Sequence, residues 1–128
     1  MTSIELEAGA KRWLLDEAEK ITEQAPAGKD QASQLRNLMQ IAQRESDVKV
    51  LSNFIRYQVG RTTTRAFWQP IHGKVIRVLE EIQLRVPPEA RGVAVQSFFA
   101  FMLRHYVYLR FLHERDRERQ PKPRREAR

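Results

Sequence analysis

The sequence predicts an all-α protein, a compact bundle of about five helices with no sheet. Apolar residues recur at steps of three and four along most of the 128 residues, as they do on the buried face of a helix. No long stretch alternates between apolar and polar residues with the period of two that is typical of a half-buried strand. The chain is 41% hydrophobic and contains five glycines and six prolines, a composition typical of a single globular domain.

The first two helices are bounded by capping and helix-breaking residues. The first is predicted over residues 3–24, because Thr2 and Glu5 have the spacing of a capping box. Its apolar stripe consists of Ala10, Trp13, Leu14, Ala18 and Ile21. Residues 25–28, which include proline and glycine, end it. The second helix is predicted to begin near Asp30, a good N-cap, and to bury Leu35, Leu38, Met39 and Ala42.

Two further helices are predicted in the middle of the chain. Ser46 or Asp47 can cap the third, which is expected to bury Val48, Leu51, Phe54 or Ile55, and Val59. Gly60 stands where a left-handed C-cap would go. Pro70 suits the first turn of the fourth helix, whose inward residues would be Ile71, Val75, Val78, Leu79 and Ile82. Residues 67–68 are expected to form a separate helical turn before it.

The last helix is predicted over residues 93–112, after the Val-Pro-Pro sequence at 86–88 has ended the fourth. Apolar residues lie on all of its sides, so it is either central in the bundle or in contact with a partner subunit. Beyond it the charges alternate and two prolines follow, a pattern typical of a disordered basic tail. The sequence therefore predicts a helical domain over residues 1–116 and a flexible charged tail over 117–128.

Positive charge is concentrated in the middle and at the end of the chain. The formal net charge is +7, made up of −3 in residues 1–30, +7 in residues 31–113 and +3 in residues 114–128. A basic body favours polyanionic partners, nucleic acid first and an anionic membrane surface second. The alternative is that the charge serves only solubility, because a net charge of this size is ordinary for a small domain.

Composition also restricts the compartment and the chemistry. No stretch approaches the roughly 18 consecutive apolar residues of a membrane span, and the N-terminus lacks the pattern of a signal peptide. There are no cysteines, which excludes disulfides, thiolate metal sites and a cysteine nucleophile. We expect a cytoplasmic protein that does not contact a membrane.

Catalytic and metal-binding motifs are missing from the sequence. No two of the three histidines, His72, His105 and His113, have the four-residue spacing of a helical metal site. Glu80 and Glu81 are adjacent and point to different faces of a helix, so they are not a paired acid and base. We expect no metal, no cofactor and no enzymatic activity.

A band of basic and polar residues is the stronger functional signal. Lys49, Ser52, Asn53 and Arg56 are predicted to share one face of the third helix, and Arg61 and Arg65 extend the charge into the next loop among three threonines. Such groups donate to phosphate oxygens without reading bases. The alternative is a solvated helix face with ion pairs inside the helix.

Three blocks of this chain resemble the small α-helical subunit of the Csm complex, the type III-A CRISPR–Cas interference complex. They are Ser33-Gln34-Leu35-Arg36-Asn37-Leu38, then Tyr57-Gln58-Val59-Gly60-Arg61, and then Phe98-Phe99-Ala100-Phe101-Met102 followed by Tyr108-Leu109-Arg110-Phe111. The order and rough spacing of the blocks agree with the family, and the resemblance covers about residues 10–116. The family tends to have basic residues near Ser52 and Ala100, where this chain has none.

The resemblance implies a bundle of about five helices that stacks in several copies and binds guide RNA and target RNA together with other Csm subunits. It also implies that RNA cleavage belongs to other subunits. Together with the basic band, it predicts six RNA-contacting residues: Arg36, Lys49, Arg56, Arg61, Arg65 and Arg110. One alternative is a helical protein–protein adaptor that dimerises through residues 93–112 and has no direct role with RNA. Another is a helical nuclease.

Overall fold

A computed structural model of the chain describes residues 6–28 and 31–119. The described residues form helices and no strand, which confirms the predicted all-α bundle. Five helices of more than ten residues and one short helix make up the fold: α1 (Ala8–Thr22), α2 (Ala32–Ala42), α3 (Val48–Gly60), α4 (Arg65–Trp68), α5 (His72–Arg85) and α6 (Arg91–Arg119). A 3-10 turn over Pro88–Ala90 leads into α6. The short α4 is the separate helical turn that the sequence predicted.

Helix α6 is the central element of the bundle. It packs mainly against α1 and α2, and to a smaller extent against α5. Its first half is the most deeply buried part of the molecule and contributes Ala94, Val95, Phe98, Phe99, Met102 and Tyr106 to the core. Apolar residues lie on all sides of α6 because neighbouring helices cover it on more than one side.

Helices α3, α4 and α5 form the other part of the bundle. α3 packs on α5 and on α4, and it buries Val48, Leu51 and Ile55 in the common core. The single turn of α4 places Phe67 and Trp68 in the core, almost completely buried. Their rings meet edge to face with centroids 5.1 Å apart. The α4 turn thus anchors the α3–α5 connection by packing and not by its own helical stability, which a four-residue helix lacks.

Two arginines close the ends of the preceding helices. Arg65 donates from Nε to the Val59 carbonyl and from Nη2 to the Gly60 carbonyl, both at 3.0 Å. Arg91 does the same for α5, with hydrogen bonds of 3.0 Å to the Val86 carbonyl and 2.8 Å to the Gln83 carbonyl. Carbonyls in the last turn of a helix have no partner within it, so these side chains stabilise both helix ends.

The predicted starts of α1 and α5 are wrong, and the predicted cap of α2 lies outside the described residues. α1 begins at Ala8 and not at residue 3; the proposed cap Thr2 and its partner Glu5 lie outside the described residues. Asp30 lies outside them too, and α2 begins at Ala32. Pro70 precedes α5 by two residues and does not form its first turn, because the chain between α4 and α5 is still a turn at that point.

The ends of α3 and α6 also differ from expectation. Gly60 is the last residue of α3, and its backbone is not in the left-handed conformation that the predicted C-cap requires. The helix ends because the backbone of Arg61 is extended. α6 runs from Arg91 to Arg119, beyond the predicted 93–112, so the first three residues of the predicted tail are helical. An i,i+4 ion pair between Arg110 and Glu114 stabilises this extension. Residues 120–128 lie outside the described part of the chain.

In the described ranges, no helix combines the length and the apolar character that crossing a membrane requires. α6 is long enough, but its last part is charged on every side.

Candidate nucleic-acid interface

The outer face of α3 carries a stripe of exposed polar and basic side chains. Lys49, Asn53 and Arg56 lie at steps of four and three, which places them on one line along the helix. Lys49 and Arg56 are about 10 Å apart along the axis at ~1.5 Å per residue. Neither side chain has an ion-pair partner among the described residues. Both cations are therefore free to meet an anion from outside.

The acid next to the start of this stripe has a structural function. Asp47 is the N-cap of α3, and its Oδ1 accepts a hydrogen bond of 2.9 Å from the Lys49 backbone N–H. Such a cap satisfies one of the unpaired donors in the first turn of the helix. The carboxylate is thus directed at the helix end and not at the Lys49 ammonium group.

Ser52 does not belong to the exposed face, and its predicted place in the stripe is wrong. Its side chain is only 4% exposed. Ser52 follows Val48 by four residues and precedes Ile55 by three, so helix periodicity places it in the buried row. Its hydroxyl has no hydrogen-bond partner within the described structure. The exposed face of α3 therefore presents the two cations and Asn53.

Two of the predicted arginines lie at the end of α3 and differ in the contacts that their side chains make. The guanidinium of Arg61 lies over the ring of Tyr57, 5.6 Å from its centroid. Arg65 uses Nε and Nη2 on the carbonyls at the end of α3, although its side chain is exposed. Arg61 therefore keeps all its N–H donors for an outside partner, whereas Arg65 has fewer to offer. The expectation that Arg65 contacts RNA stays a prediction.

The threonines between these arginines are not equivalent. Thr64 is buried and its hydroxyl donates to the Gln58 carbonyl at 2.6 Å. Thr62 and Thr63 are exposed. Only two of the three hydroxyls that the sequence places beside Arg61 can therefore reach a ligand from the surface.

Arg36 and Arg110 lie on helices that meet near the end of α3. Trp68 of α4 donates from Nε1 to Gln34 Oε1 of α2 at 3.4 Å, two residues before Arg36. Phe67 of α4 packs edge to face on Tyr106 of α6, with centroids 5.7 Å apart and four residues before Arg110. The α4 turn, which begins at Arg65, thus contacts α2 two residues before Arg36 and α6 four residues before Arg110.

Lys49 lies toward the opposite end of α3. The residue that begins the α3 cap segment, Ser46, is next to Gly92 in the first turn of α6, since a Cβ on that glycine would lie 3.6 Å from the Ser46 Cβ. α3 therefore runs from the start of α6 toward the middle of α6. Lys49 lies near the beginning of α3 and Arg61 directly after its end.

Arg36 and Arg110 differ in how free they are. Arg36 is exposed and has no ion pair within the described ranges. Arg110 is half-buried, and its Nε lies 3.4 Å from Glu114 Oε1. Its positive charge also faces Tyr106, where it acts against the effect of burial on the hydroxyl pKa. Arg36 is the better donor to an outside phosphate, and Arg110 is partly occupied within α6.

An apolar row that was not predicted from the sequence lies on the same helix. Val50, Phe54 and Tyr57 follow one another at steps of four and three on the flank of the basic stripe. Val50 and Tyr57 are exposed and Phe54 is partly buried. The spacing was present in the sequence, but the same residues also fitted a buried face. Only the position of α5 and α4 against α3 decides which rows face outward.

His105 is the one histidine surrounded by carboxylates. Its Nδ1 lies 3.4 Å from Glu19 Oε2 and its Nε2 lies 3.5 Å from Glu23 Oε1, so the ring bridges α6 and α1. Because the two carboxylates face different ring nitrogens, they do not converge on one point as metal ligands do. Within the described part of the chain, no group of three or more histidine, aspartate or glutamate side chains is suited to hold a metal ion.

A groove between α1 and α5 is a second feature that the sequence analysis did not predict. Lys20, Lys74 and Arg77 line it together with Glu17 and Glu81. The Lys74 ammonium group donates to the Gln24 side-chain carbonyl across the groove. Since both acids and bases line its walls, the groove has a mixed charge and offers an anion less than the α3 face does.

Comparison with known proteins gives no relative. The chain matches no protein-family profile, and neither a curated protein nor a solved structure is detectably similar to it.

Proposed function

We propose that this chain is a non-catalytic small subunit of a type III-A CRISPR RNA-guided interference complex that works in the cytoplasm. In this function it stacks in several copies and binds the backbones of guide RNA and target RNA without reading their sequence. Its partners would be both RNAs, other Csm subunits and copies of itself.

One observation carries the proposal, the unpaired basic face of α3. Lys49 and Arg56 have no acidic partner in the described structure, and Arg61 at the helix end contacts only an aromatic ring. Cations without acidic partners repel one another, and binding to a polyanion removes this repulsion. The resemblance of three sequence blocks to the Csm small subunit supports the choice of RNA as that polyanion. Two of these blocks, at 33–38 and 57–61, lie in α2 and at the end of α3.

RNA binding by the purified full chain tests this function. We expect affinity for RNA that falls steeply with salt, since counterions are released when cations meet phosphates. The double variant R56E/R61E should bind at least about tenfold more weakly and lower the salt slope by about 2. The matched control K11E/R77E changes the net charge equally on exposed residues of α1 and α5. Equal losses in both variants, or no RNA binding by the wild type, would contradict the proposal.

A second candidate function is a helical adaptor that forms a homodimer through α6. The observation in its favour is an exposed apolar row of Val107, Tyr108 and Phe111 on the second half of this helix. The first half has less apolar surface to offer, because the bundle already buries Phe98, Phe99 and Met102. Light scattering of the wild type and of V107S/F111S separates the two functions. A dimer that the variant abolishes, in a protein without affinity for RNA, supports the adaptor.

A further inference from the structure

The row of Val50, Phe54 and Tyr57 places an aromatic surface directly beside free cations. Tyr57 is 57% exposed, although burial of an aromatic ring is favourable. Its ring and that of Phe54 have centroids 6.4 Å apart at 46°, so Phe54 supports one side of it. The residue immediately before Tyr57 is Arg56, and Arg61 lies one turn further along the chain.

This combination differs from the other exposed aromatic row of the protein. Tyr108 on α6 is similarly exposed, at 54%, and lies beside Phe111. Arg104, one turn before Tyr108, is an exposed cation that lies over the Phe101 ring, 6.0 Å from its centroid. The next cation along the helix, Arg110, is paired with Glu114, and Asp116 follows. Around Tyr57 no carboxylate pairs with a cation within the described residues. The α3 row therefore lies beside two cations without a paired acid, whereas the α6 row lies among both cations and acids, so the α3 row complements a polyanion better.

Aromatic side chains beside unpaired cations are how proteins hold single-stranded nucleic acid. The cations follow the phosphates, and the rings stack on bases, which any base allows because each has a π-face. A guanidinium can cover the other side of such a stack. Arg61 already lies within 5.6 Å of the Tyr57 ring centroid, so it needs only a side-chain rotation to meet a base or a phosphate there.

We propose that Tyr57 stacks on an unpaired base of single-stranded RNA, with Phe54 supporting the ring and Arg56 and Arg61 holding the adjacent phosphates. This inference rests on the proposed RNA binding and adds base contact to it. It makes the α3 face selective for RNA whose bases are exposed, since bases in a duplex are already stacked on one another. Selectivity is for strandedness and not for sequence.

The test uses the full chain and a single-stranded RNA that contains one 2-aminopurine, whose fluorescence is quenched by stacking. Tyr57→Leu keeps an apolar side chain and removes the ring, while Tyr57→Phe keeps the ring. Tyr108→Leu is the matched control on α6. We expect Tyr57→Leu to weaken binding about fivefold or more and to lose the quenching, while Tyr57→Phe and Tyr108→Leu keep both. The salt slope should stay unchanged in all three variants, because no phosphate contact is removed.

Different outcomes separate this inference from the function on which it rests. If the wild type binds RNA and Tyr57→Leu binds with the same affinity and quenching, the stacking inference is wrong while backbone binding stands. If the wild type does not bind RNA, both are wrong. If Tyr57→Leu retains RNA binding but lowers the mass measured by light scattering, the row is a protein contact, and the inference is wrong.

Discussion

The hydroxyl of Tyr106 on α6 donates a hydrogen bond of 2.9 Å to the carbonyl of Pro26, 80 residues earlier in the chain. Tyr106 is 2% exposed, so this bond is partly shielded from water. It attaches the segment after α1 to the middle of the central helix.

Removing this hydroxyl should destabilise the protein. Tyr106→Phe keeps the edge-to-face contact with Phe67 but leaves the Pro26 carbonyl without its partner. We expect a loss of about 1–2 kcal/mol in the free energy of unfolding, measured by urea denaturation near neutral pH. Tyr108→Phe is the control, because its hydroxyl is on an exposed residue without a described hydrogen bond. Equal stability of Tyr106→Phe and the wild type would show that the bond contributes nothing.

The same residue predicts a loss of stability at alkaline pH. Burial raises the pKa of the Tyr106 hydroxyl above its usual 10.0, while the Gly28 backbone and the Arg110 charge lower it by less. In the unfolded chain the phenol ionises near pH 10, whereas the folded state resists ionisation. Stability from this group is complete below pH ~10 and is lost as the pH rises toward the folded-state pKa. The difference in the free energy of unfolding between wild type and Tyr106→Phe should narrow over this range. A constant difference would contradict the raised pKa of Tyr106.

Arg65 should affect stability, because two of its hydrogen bonds satisfy the Val59 and Gly60 carbonyls at the end of α3. We expect Arg65→Ala to cost about 1 kcal/mol, a value reduced by the exposure of both partners to water. Urea denaturation measures the change. Arg65→Lys separates charge from geometry, since an ammonium group cannot reproduce the planar pair of donors and should recover little.

Arg36 should show the opposite behaviour. It has no ion pair within the described residues and is exposed on α2, so Arg36→Ala should change the free energy of unfolding by less than about 0.5 kcal/mol. If it faces an RNA phosphate, the variant binds RNA more weakly and lowers the salt slope by about 1. Affinity equal to the wild type across the salt titration would remove Arg36 from the interface.

Phe67 should be one of the most sensitive positions for stability, despite belonging to a four-residue helix. It is 1% exposed and packs edge to face on both Trp68 and Tyr106. Phe67→Ala leaves a cavity between α4 and α6 and should cost about 3–5 kcal/mol. Phe111→Ala is the exposed control, expected within about 0.5 kcal/mol of the wild type. Thermal or urea denaturation distinguishes the two, and similar losses would contradict the central position of α4.

Much of the architecture could be predicted from apolar periodicity alone. The five longer helices, the separate turn at residues 67–68 and the buried character of the last helix all follow from the spacing of apolar residues. The starts of α1 and α5 could not be predicted from this spacing. Caps and prolines favour a boundary locally, whereas packing against neighbouring helices decides how far each helix extends. The α6 extension to Arg119 was also missed, since alternating charges fit both a frayed tail and an ion-paired helix.

The candidate interface divides in the same way. The basic band could be found from the sequence, because charge without nearby acid is visible in one dimension. Ser52 was placed on the wrong side of α3, since a small polar residue fits both a surface row and a buried row. Tyr57 belongs to one of the blocks that resemble the Csm small subunit. Its exposure depends on where α4 and α5 pack against α3, which the sequence does not give.

By itself the sequence determined an all-α bundle with a central apolar helix and a basic third helix, because residue spacing and charge are local properties. Only the tertiary structure decided which basic side chains remain free. It engaged Arg65 with the carbonyls ending α3 and Arg110 with Glu114, and left Arg36 and Arg56 without partners among the described residues. The reason is physical: a side chain's partners depend on which helices pack together, and that packing is set by the core.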